Sequence, residues 1–176
     1  MAKLAEAESK GQRAISMAQQ TRRGHVYIIS NVGSFGDGVY KIGLTRRLDP
    51  ADRIKELGDA SVPFDFDVHA MILSDDAPGL ETQLHKHFLI NQVNKVNHRK
   101  EFFRANLGDI RREIEELGIE AHWTMIAEAQ QYRETLAIEK LIESDPSARE
   151  AWLSRQLTLD PVEFADLADE LEDASA

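Results

Sequence analysis

Four side chains on separate stretches of this sequence carry the makings of phosphate chemistry: Tyr27, Lys41, Arg53 and Glu81. A phenol can orient or deprotonate a water, and a carboxylate can hold a divalent metal. Two cations can stabilise the charge that grows on phosphorus oxygens during phosphodiester hydrolysis. Taken singly, each residue has an ordinary explanation. Strand tyrosines and lysines are mostly structural, and an exposed arginine pairs with a neighbour such as Glu56 or Asp49 at little gain. A glutamate in the first turn of a helix is favoured by the dipole whatever else it does. The chemistry depends on whether the fold gathers the four.

The elements that must position them are legible in outline. "HVYIIS" (25–30) and "GVYKIG" (38–43) are β-branched and aromatic, and the Gly-rich "NVGSFGDG" lies between them. That pattern predicts an antiparallel hairpin bringing Tyr27 near Lys41. Asp49 as cap, Pro50 at the first helical position and Gly58 at the end predict a helix over about 50–57 that carries Arg53. "FDFDVHAMIL" (64–73) alternates Phe66, Val68, Ala70 and Ile72 on one face of a strand. "DDAPGLETQLHKHFLIN" starts a helix with Leu80, Leu84, His87 and Phe88 at helical spacing. In "HKH" (85–87) the two histidines do not share a helix face, which places His87 in the core and His85 on the polar surface. A basic loop, "NQVNKVNHRK", leads to "EFFRA" and a helix from about 107 to 117. The expected fold is α+β: a small antiparallel three-stranded sheet (β-β-α-β-α) flanked by helices, with helical extensions at both ends.

Three regions follow. Residues 1–23 read as a helix with a thin apolar stripe, as in a coiled coil, and the chain opens as though more sequence precedes it. Residues 24–117 hold the chemistry. Residues 118–176 read as an acidic helical extension, with Trp123 and Trp152 as packing residues. The net charge of −10 argues against a nucleic-acid partner until it is divided along the chain. Residues 113–176 carry 17 Asp+Glu against 4 Lys+Arg, whereas residues 21–112 carry 12 against 14. The acidity belongs to the tail, and the middle is close to neutral. There are 0 cysteines, so neither a disulfide framework nor a thiolate zinc site is available. No apolar run approaches the length of a membrane span, and the N-terminus lacks the apolar centre of a secretory signal, so a cytoplasmic protein without membrane contact is expected.

Residues 24–104 resemble the GIY-YIG nuclease superfamily, most closely the branch described from phage open reading frames and often labelled DNA-binding. "HVYIIS" stands at the first family motif with Tyr27 as its tyrosine, and "YKIG" stands at the second. "DRIKEL" resembles the family helix with Arg53 as its arginine, "LETQLHKHF" resembles the metal-carboxylate helix with Glu81 as ligand, and "KEFF" resembles a further motif of the branch. The family's second tyrosine falls two residues before the glycine, and here that position is Lys41, not Tyr40. Since strand side chains alternate, Lys41 inherits the reacting face and Tyr40 turns to the core. Where the family often has a histidine or tyrosine one turn after the arginine, this chain has Leu57; His25 and His85 are the candidate substitutes.

The resemblance implies a metal-dependent DNA endonuclease or nickase using Mg²⁺ or Mn²⁺ at Glu81 and no small-molecule cofactor. Tyr27 would act as general base, directly or through water, with Lys41 and Arg53 on the phosphate. Arg46, Arg47 and the loop residues Arg99 and Lys100 are candidate DNA contacts; Glu101 is either a second metal-side carboxylate or a strand-end charge. Two rivals stand beside this reading. One is a catalytically inactive DNA-binding module. The other is a scaffold that assembles through its helical extensions, with a homodimer through the N-terminal helix and an acidic tail able to occupy the basic face.

Overall fold

In a computed structural model, residues 2–159 are described, and they divide at Tyr132 into two compact units. The predicted acidic helix in residues 160–176 lies outside the described residues.

The first unit opens with α1 (Ala2–Arg22), whose Leu4, Ile15 and Met17 side chains are exposed. Four strands follow in one antiparallel sheet: β1 (Gly24–Ser30), β2 (Val39–Thr45), β3 (Asp67–Ser74) and β4 (Phe102–Arg104), in the order β3-β1-β2-β4. The expected three-stranded sheet is therefore corrected to four. "EFFRA" contributes the extra strand, because Phe103 fits the buried face of β2's outer edge while Arg104 stays exposed. The β1–β2 connection is more than a turn. Asn31 caps a four-residue helix α2 (Val32–Phe35), accepting from the Ser34 N–H, and Gly36 and Gly38 leave it at positive φ.

The two faces of the sheet are packed unequally. One face carries the large core: Val26, Ile28, Ile42, Ala70, Ile72 and Phe103 meet Ala77, Leu80 and Leu84 of α4 (Ala77–His87) and Leu107, Ile110 and Ile114 of α5 (Leu107–Glu116). The other face carries a small cluster, Tyr27, Ile29 and Ile54, the last from α3 (Pro50–Asp59), with Leu57, Phe66 and Met71 around it. Asp49 accepts from the Ala51 N–H as the α3 cap, and Asp76 accepts from the Gly79 N–H to start α4.

Two local expectations change. The simple alternation in "FDFDVHAMIL" fails because a bulge interrupts the β1–β3 register, pairing Ile28 with Ala70 but Ile29 with Val68. His69 is the extra residue; it is 2% exposed, while Val68 is 40% exposed. The helical extension expected over 118–176 also begins later than predicted: the chain is irregular between α5 and α6 (Gln130–Ser144). Trp123 packs against the large core from this irregular segment rather than from a helix, and Thr124 N–H donates to the His69 carbonyl. The second unit contains most of α6 and then α7 (Pro146–Thr158), which Asp145 caps by accepting from the Ser147 N–H. Among the described residues no helix is long and apolar enough to cross a membrane.

Candidate active site

The β1–β2 register pairs Tyr27 with Gly43 and Ile29 with Lys41, so Tyr27 and Lys41 emerge on the same, thinly packed face. Tyr40, paired with Ser30, emerges on the opposite face and packs against the large core. Tyr27 is 2% exposed, and its ring lies across β2 over Gly43. A Cβ at Gly43 would come within 2.5 Å of the phenol oxygen and 2.6 Å of Cζ. The glycine is thus needed for close approach, since only a residue without a side chain leaves room for the phenol.

Lys41 is nearly as buried. Its Nζ donates to Glu101 Oε2 at 2.7 Å and lies 5.3 Å from the centroid of the Phe102 ring. Phe102 opens β4, the strand the sequence reading omitted, and Glu101 immediately precedes it. Further along, β4 no longer covers the outer edge of β2, and side chains of α4 take over. Glu81 accepts a hydrogen bond from the Leu44 N–H. One turn later His85 Nε2 donates to the Ile42 carbonyl at 2.7 Å. Residues four apart on α4 share a face, so a single helix satisfies two edge groups that would otherwise need a strand.

These placements bring Tyr27, Lys41, Arg53, Glu81 and Glu101 into one electrostatic neighbourhood that wraps the edge of β2. Burial pushes the Tyr27 phenol up to about 12, and the Glu101 charge adds to that; the Arg53 guanidinium opposes it by charge and hydrogen bonding. Burial likewise pushes the Glu81 carboxyl up to about 7, with Glu101 repelling its charge and Lys41 only partly compensating. Two half-buried carboxylates beside a single buried ammonium make a locale short of positive charge. Arg53 is also held from outside, by Glu56 at 3.4 Å, and Glu56 is shared with Arg47.

The other candidates stand around this centre. His25 is on the Tyr27 face, two residues away, and half-buried. Arg46 and Arg47 are exposed just beyond the end of β2, and Arg99 and Lys100 are exposed immediately before Glu101. The two histidines of "HKH" are exchanged relative to expectation. His87 is exposed, with Nδ1 3.0 Å from a Glu113 carboxylate oxygen, whereas His85 turns inward to the β2 edge and packs 5.0 Å from the Phe103 ring. Helical spacing alone made His87 apolar-facing, but the sheet edge supplies a polar partner for His85 that a periodicity count does not include.

One buried polar group escaped the sequence reading. His69 Nδ1 donates to the Thr124 carbonyl at 2.6 Å, leaving Nε2 to accept from the Ser30 hydroxyl at 2.7 Å. Strand alternation set His69 on the face opposite Phe66, Val68, Ala70 and Ile72, so the sequence carried no signal for its burial; the bulge turns it inward, where it ties the irregular segment after α5 to the sheet. Among the described residues no group of three or more His, Asp or Glu side chains converges as a metal cage.

Residues 24–118 match the model of the T5orf172 domain, more than half of the chain. No curated protein and no solved structure matches. The chain belongs to the T5orf172-domain family.

Proposed function

From that membership we propose that the protein is a metal-dependent DNA endonuclease or nickase of the GIY-YIG type. The T5orf172 domain is often fused with GIY-YIG nuclease modules in phage proteins, which supports a DNA-interacting module. The observation that carries the finer reading is the convergence at the β2 edge: a phenol, two cations and two carboxylates drawn from β1, β2, α3, α4 and the start of β4.

Mg²⁺ or Mn²⁺ fits this donor set. Such ions keep several waters and take one or two protein carboxylates together with substrate phosphate oxygens, so no three-residue cage is required. Glu81 would hold the ion, with Glu101 facing it; burial first and Glu101 repulsion second raise the Glu81 pKa, and a cation would relieve the repulsion. Bound there, the ion would neutralise charge on the scissile phosphate. The remaining work falls to the chain. Tyr27 is protonated at neutral pH in the free protein, so it begins as a donor that orients water and becomes a base only as positive charge accumulates around it. Arg53, next to the phenol and partly exposed, is positioned to meet a phosphate oxygen. Lys41 can reach phosphate by exchanging its bond to Glu101.

Supercoiled plasmid provides the test. Nicking that requires Mg²⁺ or Mn²⁺ and disappears in Glu81→Gln, a variant that keeps an acceptor for the Leu44 N–H and is folded at the assay temperature, is the expected result. Inertness on supercoiled, linear and single-stranded DNA with Mn²⁺ overturns it.

A second reading has its own support. Lys41 replaces the second tyrosine and is tied to Glu101, and burial holds Tyr27 high, features that suit a module binding DNA without cutting. Metal-independent, salt-sensitive binding with no cleavage selects it. The exposed apolar residues of α1 support self-association through that helix in either case, and a mass measurement in solution with and without residues 1–23 decides it.

A further inference from the structure

Two loops leave the sheet at the same end. Because β4 runs antiparallel to β2, the C-terminal end of β2, with residues 46–49, and the N-terminal end of β4, with residues 94–100, point the same way. Both loops are basic. Arg46 and Arg47 occupy the first, and Lys95, Arg99 and Lys100 the second; no Asp or Glu occurs anywhere from Thr82 to Lys100. In a chain of net charge −10 that interval is a local reversal of sign.

Each loop also presents one aliphatic side chain fully to water: Leu48 is 101% exposed and Val96 is 92% exposed. Neither loop is slack. Arg47 N–H donates to Thr45 Oγ1 on one side of Leu48, and Asp49 is fixed as the α3 cap on the other. Around Val96, Asn94 Oδ1 accepts from the Val96 and Asn97 N–H groups, Asn97 Oδ1 accepts from Arg99 N–H, and Gln92 Nε2 donates to the His98 and Lys100 carbonyls. Two held tips each expose an aliphatic side chain next to a cation, Leu48 after Arg47 and Val96 after Lys95.

We propose that Leu48 and Val96 are wedges for duplex DNA. Arg46, Arg99 and Lys100 hold phosphates, Arg47 and Lys95 being engaged by Glu56 and the Ile90 carbonyl, and the two aliphatic tips enter the groove and part the base pairs beside the site. Cations supply sequence-independent affinity, and apolar side chains inserted between base steps unstack and unwind the duplex. Opening the stack would present a strained phosphodiester to the β2 edge. The inference rests on the DNA-directed reading above but not on cleavage.

The test is topological, and EDTA keeps nicking out of it. A closed circular plasmid is relaxed by a metal-independent topoisomerase with the full-length protein bound, and the linking-number shift is read after deproteinisation. Wild-type protein is expected to shift the distribution in proportion to bound protein. Leu48→Ser with Val96→Ser should return the shift to background while leaving the slope of log affinity against log salt unchanged. Arg46→Ala should lower that slope by about 1. Wild-type binding with no shift overturns the wedge and leaves the DNA reading intact; persistence of the shift in the double variant also overturns it. Absence of any DNA binding overturns both.

Discussion

The two faces of the sheet were built by different rules. Against one, α4 and α5 lay a dry apolar core in which Ile28, Leu84, Ile110 and Ile114 are wholly buried. Against the other, α3 lays Ile54 on Tyr27 and Ile29, and the buried Lys41 and half-buried Glu101 pair on the same face. The thick face supplies the stability that lets the thin face hold charges in unfavourable surroundings. Groups desolvated but incompletely paired are the ones whose proton affinities move, and here those are Tyr27 and Glu81.

The sharpest contrast comes from truncating one residue on each face. Leu84→Ala should cost about 2–5 kcal/mol, since it removes a fully buried side chain from close packing. Tyr27→Phe keeps the ring that packs on Ile29 and Ile54 and should cost no more than about 1.5 kcal/mol while removing cleavage. Urea midpoints at constant m check both. Equal losses would erase the division of labour between the faces.

Gly43→Ala probes the seam directly. The added methyl must displace the buried phenol, so a loss of about 1–3 kcal/mol is expected together with loss of nicking. Gly58→Ala on α3, where the nearest atom to an added Cβ is Asp65 Oδ1 at 3.3 Å, is the comparison that should leave nicking intact. If both glycine variants nick like wild type, Tyr27 does not need its place over β2.

Much of this contrast was legible in the sequence, and the gaps have physical causes. The hairpin, the capped helices α3 and α4, and the opposite facing of Tyr40 and Lys41 follow from local rules: turn glycines, Asp-Pro and Asp-Ala-Pro starts, strand alternation. What local rules could not supply was the neighbour across the sheet. "EFFRA" is too short to declare itself a strand until β2 offers an open edge, and His69 is a bulge only because β1 sets its register. The same holds for "HKH": the inward histidine is chosen by the Ile42 carbonyl, a backbone group that no side-chain periodicity reports.

That exchange of histidines gives a smaller but cleaner measurement. His85→Ala leaves an edge carbonyl without its donor and should cost about 1–3 kcal/mol. His87→Ala removes a half-exposed pair with Glu113 and should cost about 0–1 kcal/mol. A reversed ranking would return His87 to the core and His85 to solvent.

The smallest effect has the most informative sign. Burial and Glu101 lift the Glu81 carboxyl to about 7 in the folded chain, from an ordinary value of 4.5. The folded state therefore binds the proton more tightly than the unfolded one. The stability this contributes is complete below the unfolded value, falls as pH rises through the interval between the two, and is gone above the folded value. Glu81→Gln cannot ionise, and its amide oxygen can still accept from Leu44 N–H. The variant should match wild type near pH 4.5 and exceed it near pH 8 by on the order of 1 kcal/mol after solvent screening. Adding Mg²⁺ or Mn²⁺ at the higher pH should raise the wild-type melting temperature and leave the variant unmoved, because only the carboxylate gains from the ion. Parallel stability curves for the two proteins, with and without metal, would mean that Glu81 is an ordinary solvated carboxylate and that the thin face holds no cation site.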